Sequence, residues 1–357
     1  MRRSFALAAA TVCLAATSAC ASGTATPLPA ASGPEVSGTP RANVSSGTSP
    51  RPGSSQTAEP TSPTPEPSAV DANELGMVPV LMYHQIVDNP SNVYERTPEA
   101  FRAELERLAR AGYVPVTAAD YVTGAIDIPA GKHPVVLTFD DSTIDQLAFN
   151  SSGEPKLDTA VGILLSVAED HPSFRPVATF FVNRNPFTLG KRGLRWLHEH
   201  GFEIGNHTYD HVNLEEQSAN GVQRQIAKLH RMITSAVPDA EVSTLALPLG
   251  ARPDTLKLAA RGSWHGTSYD YDGVFLVGAR PAPSPYDTDF DPLEIPRIRS
   301  GDLKGPEARW CSTRWLNYLD KHPGERYTSD GDPSRISFPE KKSDQLASDV
   351  DATVNPY

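Results

Sequence analysis

The 357-residue chain carries a formal net charge of −11 and only three cysteines, Cys13, Cys20 and Cys311. That acidity argues against a nucleic-acid partner, because phosphates select basic surfaces. Three scattered thiols exclude a disulfide-stapled scaffold, so the fold must rest on its hydrophobic core and any bound metal.

Residues 1–20 read as an export signal. Arg2 and Arg3 form the positive start, Phe5 to Ala16 the apolar run, and Thr17-Ser18-Ala19-Cys20 the small-residue cleavage region. The apolar run is short for a membrane-spanning helix. Cys20 after small residues resembles a bacterial lipoprotein cleavage box, with Thr17 where such boxes prefer Leu. The expectation is membrane attachment through a lipidated Cys20, or else secretion after cleavage near Ala19 or Ala21. Residues 21–75 are rich in Ser, Thr, Pro and Gly and poor in large apolar side chains. Such a segment cannot offset its ordering entropy by burial, so a disordered tether is expected. Residues 76–357 are then one catalytic-sized α/β domain, with no repeat, phosphate-binding glycine loop or transmembrane helix of its own, and we expect a monomer.

Along that domain, Val78 to His84 reads as a short apolar strand ending in a polar pair. Thr97-Pro98-Glu99 opens a helix, with Thr as cap and Pro in the first turn; Phe101, Leu105 and Leu108 lie on one face and Gly112 ends it. Val135 to Phe139 and Ala178 to Val182 are near-continuous apolar strands, as in a buried parallel sheet. A helix over Leu194–His200 feeds a strand at Phe202–Ile204. One long helix is expected from about Asn213, paired with Glu216, to Ala236. Further strands are expected at Thr244–Leu247, Val274–Val277 and Glu294–Ile298, and a helix at Glu307–Leu319. Alternating strands and helices imply a parallel sheet, and this many units favour a barrel.

Two motifs sit where strands end. Asp140-Asp141 puts adjacent carboxylates after Thr138-Phe139, and a bend there is needed for both to serve one site, because side chains alternate along a strand. His207 and His211, expected at i and i+4 of a helical turn, can share one ion. One carboxylate and two imidazoles suit Zn²⁺ or a similar divalent ion, and the second carboxylate is left to take a proton from activated water.

Five blocks in sequence order carry a resemblance: Val80-Leu81-Met82-Tyr83-His84, Thr138-Phe139-Asp140-Asp141, Ala178-Thr179-Phe180-Phe181-Val182, Gly201 to His211, and Leu247-Pro248-Leu249-Gly250. Over roughly Val78 to Arg297 the chain resembles the polysaccharide deacetylase family, the NodB-homology domain of family 4 carbohydrate esterases. The resemblance implies a distorted (β/α)7 barrel that removes acetyl groups, mostly N-acetyl groups, from polysaccharides. It implies Asp140 as general base, and Asp141, His207 and His211 as ligands of Zn²⁺, with Co²⁺ or Ni²⁺ as substitutes. The Leu249 backbone N–H would serve the oxyanion. The front-placed Tyr83-His84 is similar to the poly-N-acetylglucosamine N-deacetylase type, which makes His84 the acid for the leaving amine. The substrate partner would be an acetylated cell-wall or extracellular polymer.

Departures from the family pattern stand at Ser142, where a glycine is usual, and at Ala246-Leu247-Pro248-Leu249, where the family has Arg-x-Pro-Tyr. Arg297, near another strand end, is our candidate for the missing guanidinium. Two alternatives stay open: an O-acetyl esterase, and a carbohydrate-binding wall protein that has lost catalysis. Tyr209, Trp196, Tyr269, Tyr271 and Trp310 are candidates for a sugar cleft, with core packing the expected fate of most. Ser329-Asp330-Gly331-Asp332 reads as a structural turn.

Overall fold

The computed structural model describes residues 65–302 and 304–357. The export signal, Cys20 and most of the proposed tether lie outside the described residues.

The folded part begins earlier than composition suggested. Pro67–Val70 is a 3-10 turn, and Ala72, Asn73, Glu74 and Leu75 are buried. Their polar neighbours masked them in the sequence; long-range bonds from Asn73 to the carbonyls of Gly324 and Arg326 hold them in place. The linker boundary at residue 75 is therefore corrected toward the N-terminus.

Strand β1 (Val80–Tyr83) is fully buried. Helix α1 (Pro98–Arg110) starts at Thr97, whose hydroxyl accepts from Ala100 N at 3.1 Å, and buries Phe101, Leu105 and Leu108. Strand β2 (Tyr113–Val116), which contains Pro115, is absent from the sequence expectations. It pairs only with the first half of β3 (His133–Asp140), which leaves the proline's missing donor unneeded on its other side. Helix α2 (Ala118–Thr123) carries a capping box of Thr117 and Asp120. Helix α3 (Ala160–Asp170) is capped by Thr159.

Strands β4 (Thr179–Val182), β5 (Glu203–Asn206), β6 (Thr244–Ala246) and β7 (Gly273–Phe275) alternate with α4 (Lys191–Glu199) and α5 (Ala219–Ala236). The single long helix expected from Asn213 is two pieces. Asn213 caps a 3-10 turn at Leu214–Glu216, and Ser218 then caps α5. The segment expected as one helix over Glu307–Leu319 is likewise a 3-10 turn (Pro306–Trp310) followed by α6 (Ser312–Lys321).

Strand β8 (Ile298–Arg299) completes a parallel sheet in the order β7-β6-β5-β4-β3-β1-β8. One short segment reaches both edges. Ile295 bridges to Phe275 of β7, with Leu276 N donating to Ile295 O at 2.8 Å, and Ile298 pairs with Leu81 of β1. The sheet thus curls into a distorted seven-stranded barrel, and its strands end together at one rim, where such barrels place their chemistry. Among the described residues no helix is long and apolar enough to cross a membrane.

Away from that rim, burial pushes the Glu74 carboxyl up to about 8, against the lowering effect of Ser337 N, which donates to it at 2.7 Å. An acid with a raised folded pKa binds its proton more tightly folded than unfolded. Stability should therefore fall as pH rises from about 5 to about 8, by up to about 1.4 kcal/mol per unit. Thermal unfolding across that window should show the slope, and Glu74→Gln should flatten it; an unchanged slope in the variant would assign it elsewhere.

Candidate metal centre and active site

The bend required after Asp140 is present. Asp141 (φ 71°) and Ser142 (φ 50°) both take left-handed backbone, so the chain turns sharply as β3 ends. Ser142 stands in a conformation that favours glycine, and its backbone carbonyl accepts from Phe187 N at 2.6 Å. The turn directs both carboxylates to one site.

The histidine pair does not lie on a helical turn, which corrects that expectation. Residues 207–213 form a loop with Thr208 and His211 at positive φ. Asn206, fully buried, shapes it: its side-chain oxygen accepts from Thr208 N at 2.8 Å, while its nitrogen donates to Tyr271 Oη and Ile226 O. A side chain thereby replaces the helical bonding that an i, i+4 spacing would have used.

The loop brings His207 Nε2 to 3.5 Å and His211 Nε2 to 3.2 Å from Asp141 Oδ1. One donor atom from each of Asp141, His207 and His211 lies within 4.8 Å of the others. A tetrahedral ion bound at about 2.0–2.1 Å sets neighbouring donors about 3.4 Å apart, so the residues present fit Zn²⁺ or a similar ion. The tautomer fits as well. His207 Nδ1 donates to Ala246 O at 2.8 Å, which turns Nε2 toward Asp141 as a lone pair. Burial lowers the His207 pKa, against the raising effect of Asp140 and Asp141, and so favours the neutral ring that a metal needs.

Asp140 is held differently. Both of its oxygens accept from Arg297, Nη1 to Oδ1 and Nη2 to Oδ2, each at 2.7 Å. Arg297 is itself fully buried and also donates from Nε to Leu276 O at 2.8 Å. Burial alone would raise the Asp140 pKa, but Arg297, with His207 and His84 behind it, holds the carboxyl far below the usual range. Asp140 therefore stays ionised, with Oδ2 3.9 Å from both His207 Nε2 and His84 Nε2.

His84 follows β1 directly. Burial pulls its pKa down against the pull of Asp140 and Asp141, and the ring packs on Tyr94 at 4.9 Å between centroids. Leu249 is at φ 59° in a 3-10 turn and 67% exposed. Its N–H precedes the turn's bond from Gly250 N to Leu247 O, as helix-start donors do. His84, Asp140, Asp141, His207, His211 and Leu249 border one open cavity of about 360 Å³, and Arg297 lies behind it.

Sequence reasoning missed Tyr94 and Val277, which also border the cavity. Tyr94 lies in a turn-rich loop, and only the fold brings it over His84. The five aromatics considered for a sugar cleft are elsewhere: Tyr269 and Tyr271 are buried in the core, Trp196 stacks on His200, Tyr209 packs under Lys228, and Trp310 lies outside the cavity. Asp330 is buried in an ion pair with Arg335 at 2.7 Å.

Residues 127–263 match the family model described as polysaccharide deacetylase. The chain is 30% identical over 135 residues to a chitooligosaccharide deacetylase of Sinorhizobium fredii, covering 38% of this chain and 55% of that protein. The chain thus spans about half the length of the curated relative it matches. Among solved structures it is similar to the Streptococcus pyogenes deacetylase PplD in complex with acetate, at 23% identity and TM-score 0.51, covering 65% of this chain and 96% of that one. IcaB from Ammonifex degensii is 19% identical with TM-score 0.47, covering 67% of this chain and 97% of that one. The PplD likeness concerns the fold, the distorted barrel described above.

Removing Arg297 would leave Asp140 buried and unpaired. Arg297→Ala should destabilise the domain by about 3–5 kcal/mol. Denaturant unfolding reads this directly, and a loss under about 1 kcal/mol would mean that water replaces the guanidinium.

Proposed function

We propose that the protein is a metal-dependent deacetylase that hydrolyses N-acetyl groups of an N-acetylglucosamine polymer in the cell wall or extracellular matrix. The observation that carries this reading is the adjacency of two differently prepared carboxylates. Asp141 faces two imidazoles at ion-sharing distance, and Asp140 is locked by Arg297 beside them.

Asp141, His207 and His211 would hold the ion. Zn²⁺ bound there would polarise the acetyl carbonyl and make water acidic enough to react near neutral pH. Asp140 is the base that takes the proton of the attacking water. Arg297 keeps both its oxygens oriented, in place of the arginine missing at Ala246. Leu249 N–H donates to the oxygen that gains charge as the tetrahedral centre forms. His84 delivers a proton to the departing nitrogen; the 3.9 Å between its Nε2 and Asp140 Oδ2 is a span that one bridging group closes. An amide nitrogen leaves only when protonated, so an imidazole opposite the base suits N-acetyl chemistry. Acetate and a free amine on the polymer result.

The cavity is open, as an internal unit of a polymer requires, and Tyr94, Leu249 and Val277 line it beside the polar groups. Export, with attachment through lipidated Cys20 or secretion, would place the domain beside such polymers.

Acetate release from poly-N-acetylglucosamine, chitin oligomers, peptidoglycan and acetyl-xylan is the test. Release should depend on added metal and favour N-acetyl polymers, and Asp140→Asn should lower turnover at least about 100-fold while metal still binds. Release from acetyl-xylan alone would move the activity to ester hydrolysis. Metal binding with no release from any polymer would leave a binding protein, and full turnover in Arg297→Ala would remove that residue from the account.

A further inference from the structure

The His84 ring packs on Tyr94, but no hydrogen bond from its buried Nδ1 orients it. The residue's hydrogen-bonded anchor is its backbone. Gln146, fully buried in the segment after the Asp140-Asp141 turn, donates from Nε2 to His84 O at 2.7 Å and to Asp140 O at 2.6 Å. Both contacts are carbonyl oxygens, so the amide nitrogen must face them. The neighbouring Asp145 accepts at Oδ1 from Ile86 N at 2.8 Å and from Thr143 Oγ1 at 3.0 Å. The two side chains thus grip the chain at His84 and two residues beyond it, at Ile86. They are anchored in turn, because their carbonyls accept from Ala160 N at 3.0 Å and Val161 N at 3.1 Å in the first turn of α3.

We propose that Asp145, half-buried, and Gln146, fully buried, are positioning residues: a bracket that sets His84 at its working distance from Asp140, through the carbonyls that Gln146 ties together. The inference rests on the reading of His84 as the leaving-group acid. β1 and β3 pair only as far as Tyr83 and Phe139, so beyond them the sheet no longer controls the spacing of His84 and Asp140. The bracket takes over at that point. One amide nitrogen bound to both carbonyls ties the two residues more tightly than separate partners would.

The test separates acid placement from general stability. Gln146→Leu keeps the volume and removes the donor; Asp145→Asn retains an oxygen for Ile86 N, and Asp145→Ala does not. Three readouts apply: turnover of an N-acetylglucosamine oligomer, turnover of 4-nitrophenyl acetate, whose leaving group needs no proton, and the ring ¹H–¹⁵N resonances of His84 in metal-free protein. For Gln146→Leu and Asp145→Ala we expect kcat on the oligomer to fall about 10- to 100-fold at nearly constant KM, with ester turnover within about threefold of wild type. The His84 resonances should shift or broaden while those of His207 stay in place, and Asp145→Asn should behave as wild type.

Equal losses on oligomer and ester, or unchanged turnover with an unmoved His84, would overturn the bracket. If wild-type protein releases acetate from no N-acetyl substrate, the deacetylase reading fails instead. The resonances then decide the bracket alone: His84 unperturbed by Gln146→Leu would refute it.

Discussion

The buried ion pair between Arg297 and Asp140 is the interaction on which the rest of the molecule turns. Two full charges removed from water are costly unless each finds its partner in good geometry. Here the fit is bidentate, and Leu276 O takes a further donor of the guanidinium. Arg297 lies in the segment that touches both β7 and β1, so the residue that neutralises Asp140 sits where the barrel closes. Closing the sheet and charging the site are therefore one event. A barrel left open at this seam would strand Asp140 in an apolar interior, where its pKa would rise and its proton would not leave.

Around this pair, the loops at the rim accept strain. Asp141, Ser142, Thr208, His211 and Leu249 all have positive φ, a conformation that costs non-glycine residues free energy. Each lies within two residues of a group that the mechanism uses, or is one. The surrounding bonds hold them there: Asn206 to Thr208 N, Phe187 N to Ser142 O, and Ala246 O from His207 Nδ1. The result is a set of side chains whose positions are fixed before any ligand arrives, which is what electrostatic preorganisation requires.

The barrel was legible in the sequence where strands are buried on both faces. Val135 to Phe139 could be little else, and Thr97-Pro98 announced its helix through a cap whose chemistry is local. Legibility failed where tertiary contacts overrode local signals. Asn213 signalled a helix start that proved to be a single turn, because Ser218 caps the helix that follows. The i, i+4 spacing of His207 and His211 suggested a helix, but the Asn206 side chain imposes a loop that still brings both rings to Asp141. Tyr94 and Gln146 carried no signal at all. Their relation to His84 exists only once loops far apart in sequence are stacked on one rim, and Arg297 meets Asp140 across 157 residues.

The central claim is that Asp141, His207, His211 and Asp140 make one metal-dependent hydrolytic centre. The most direct measurement is a titration of metal-stripped protein with Co²⁺, following the visible d–d absorption of the bound ion and acetate release from N-acetylglucosamine oligomers in the same samples. The account predicts that both rise together and saturate at one equivalent, with no release before metal is added. Acetate release from metal-free protein, or a spectrum that saturates at one equivalent with no acetate from any oligomer, would contradict it.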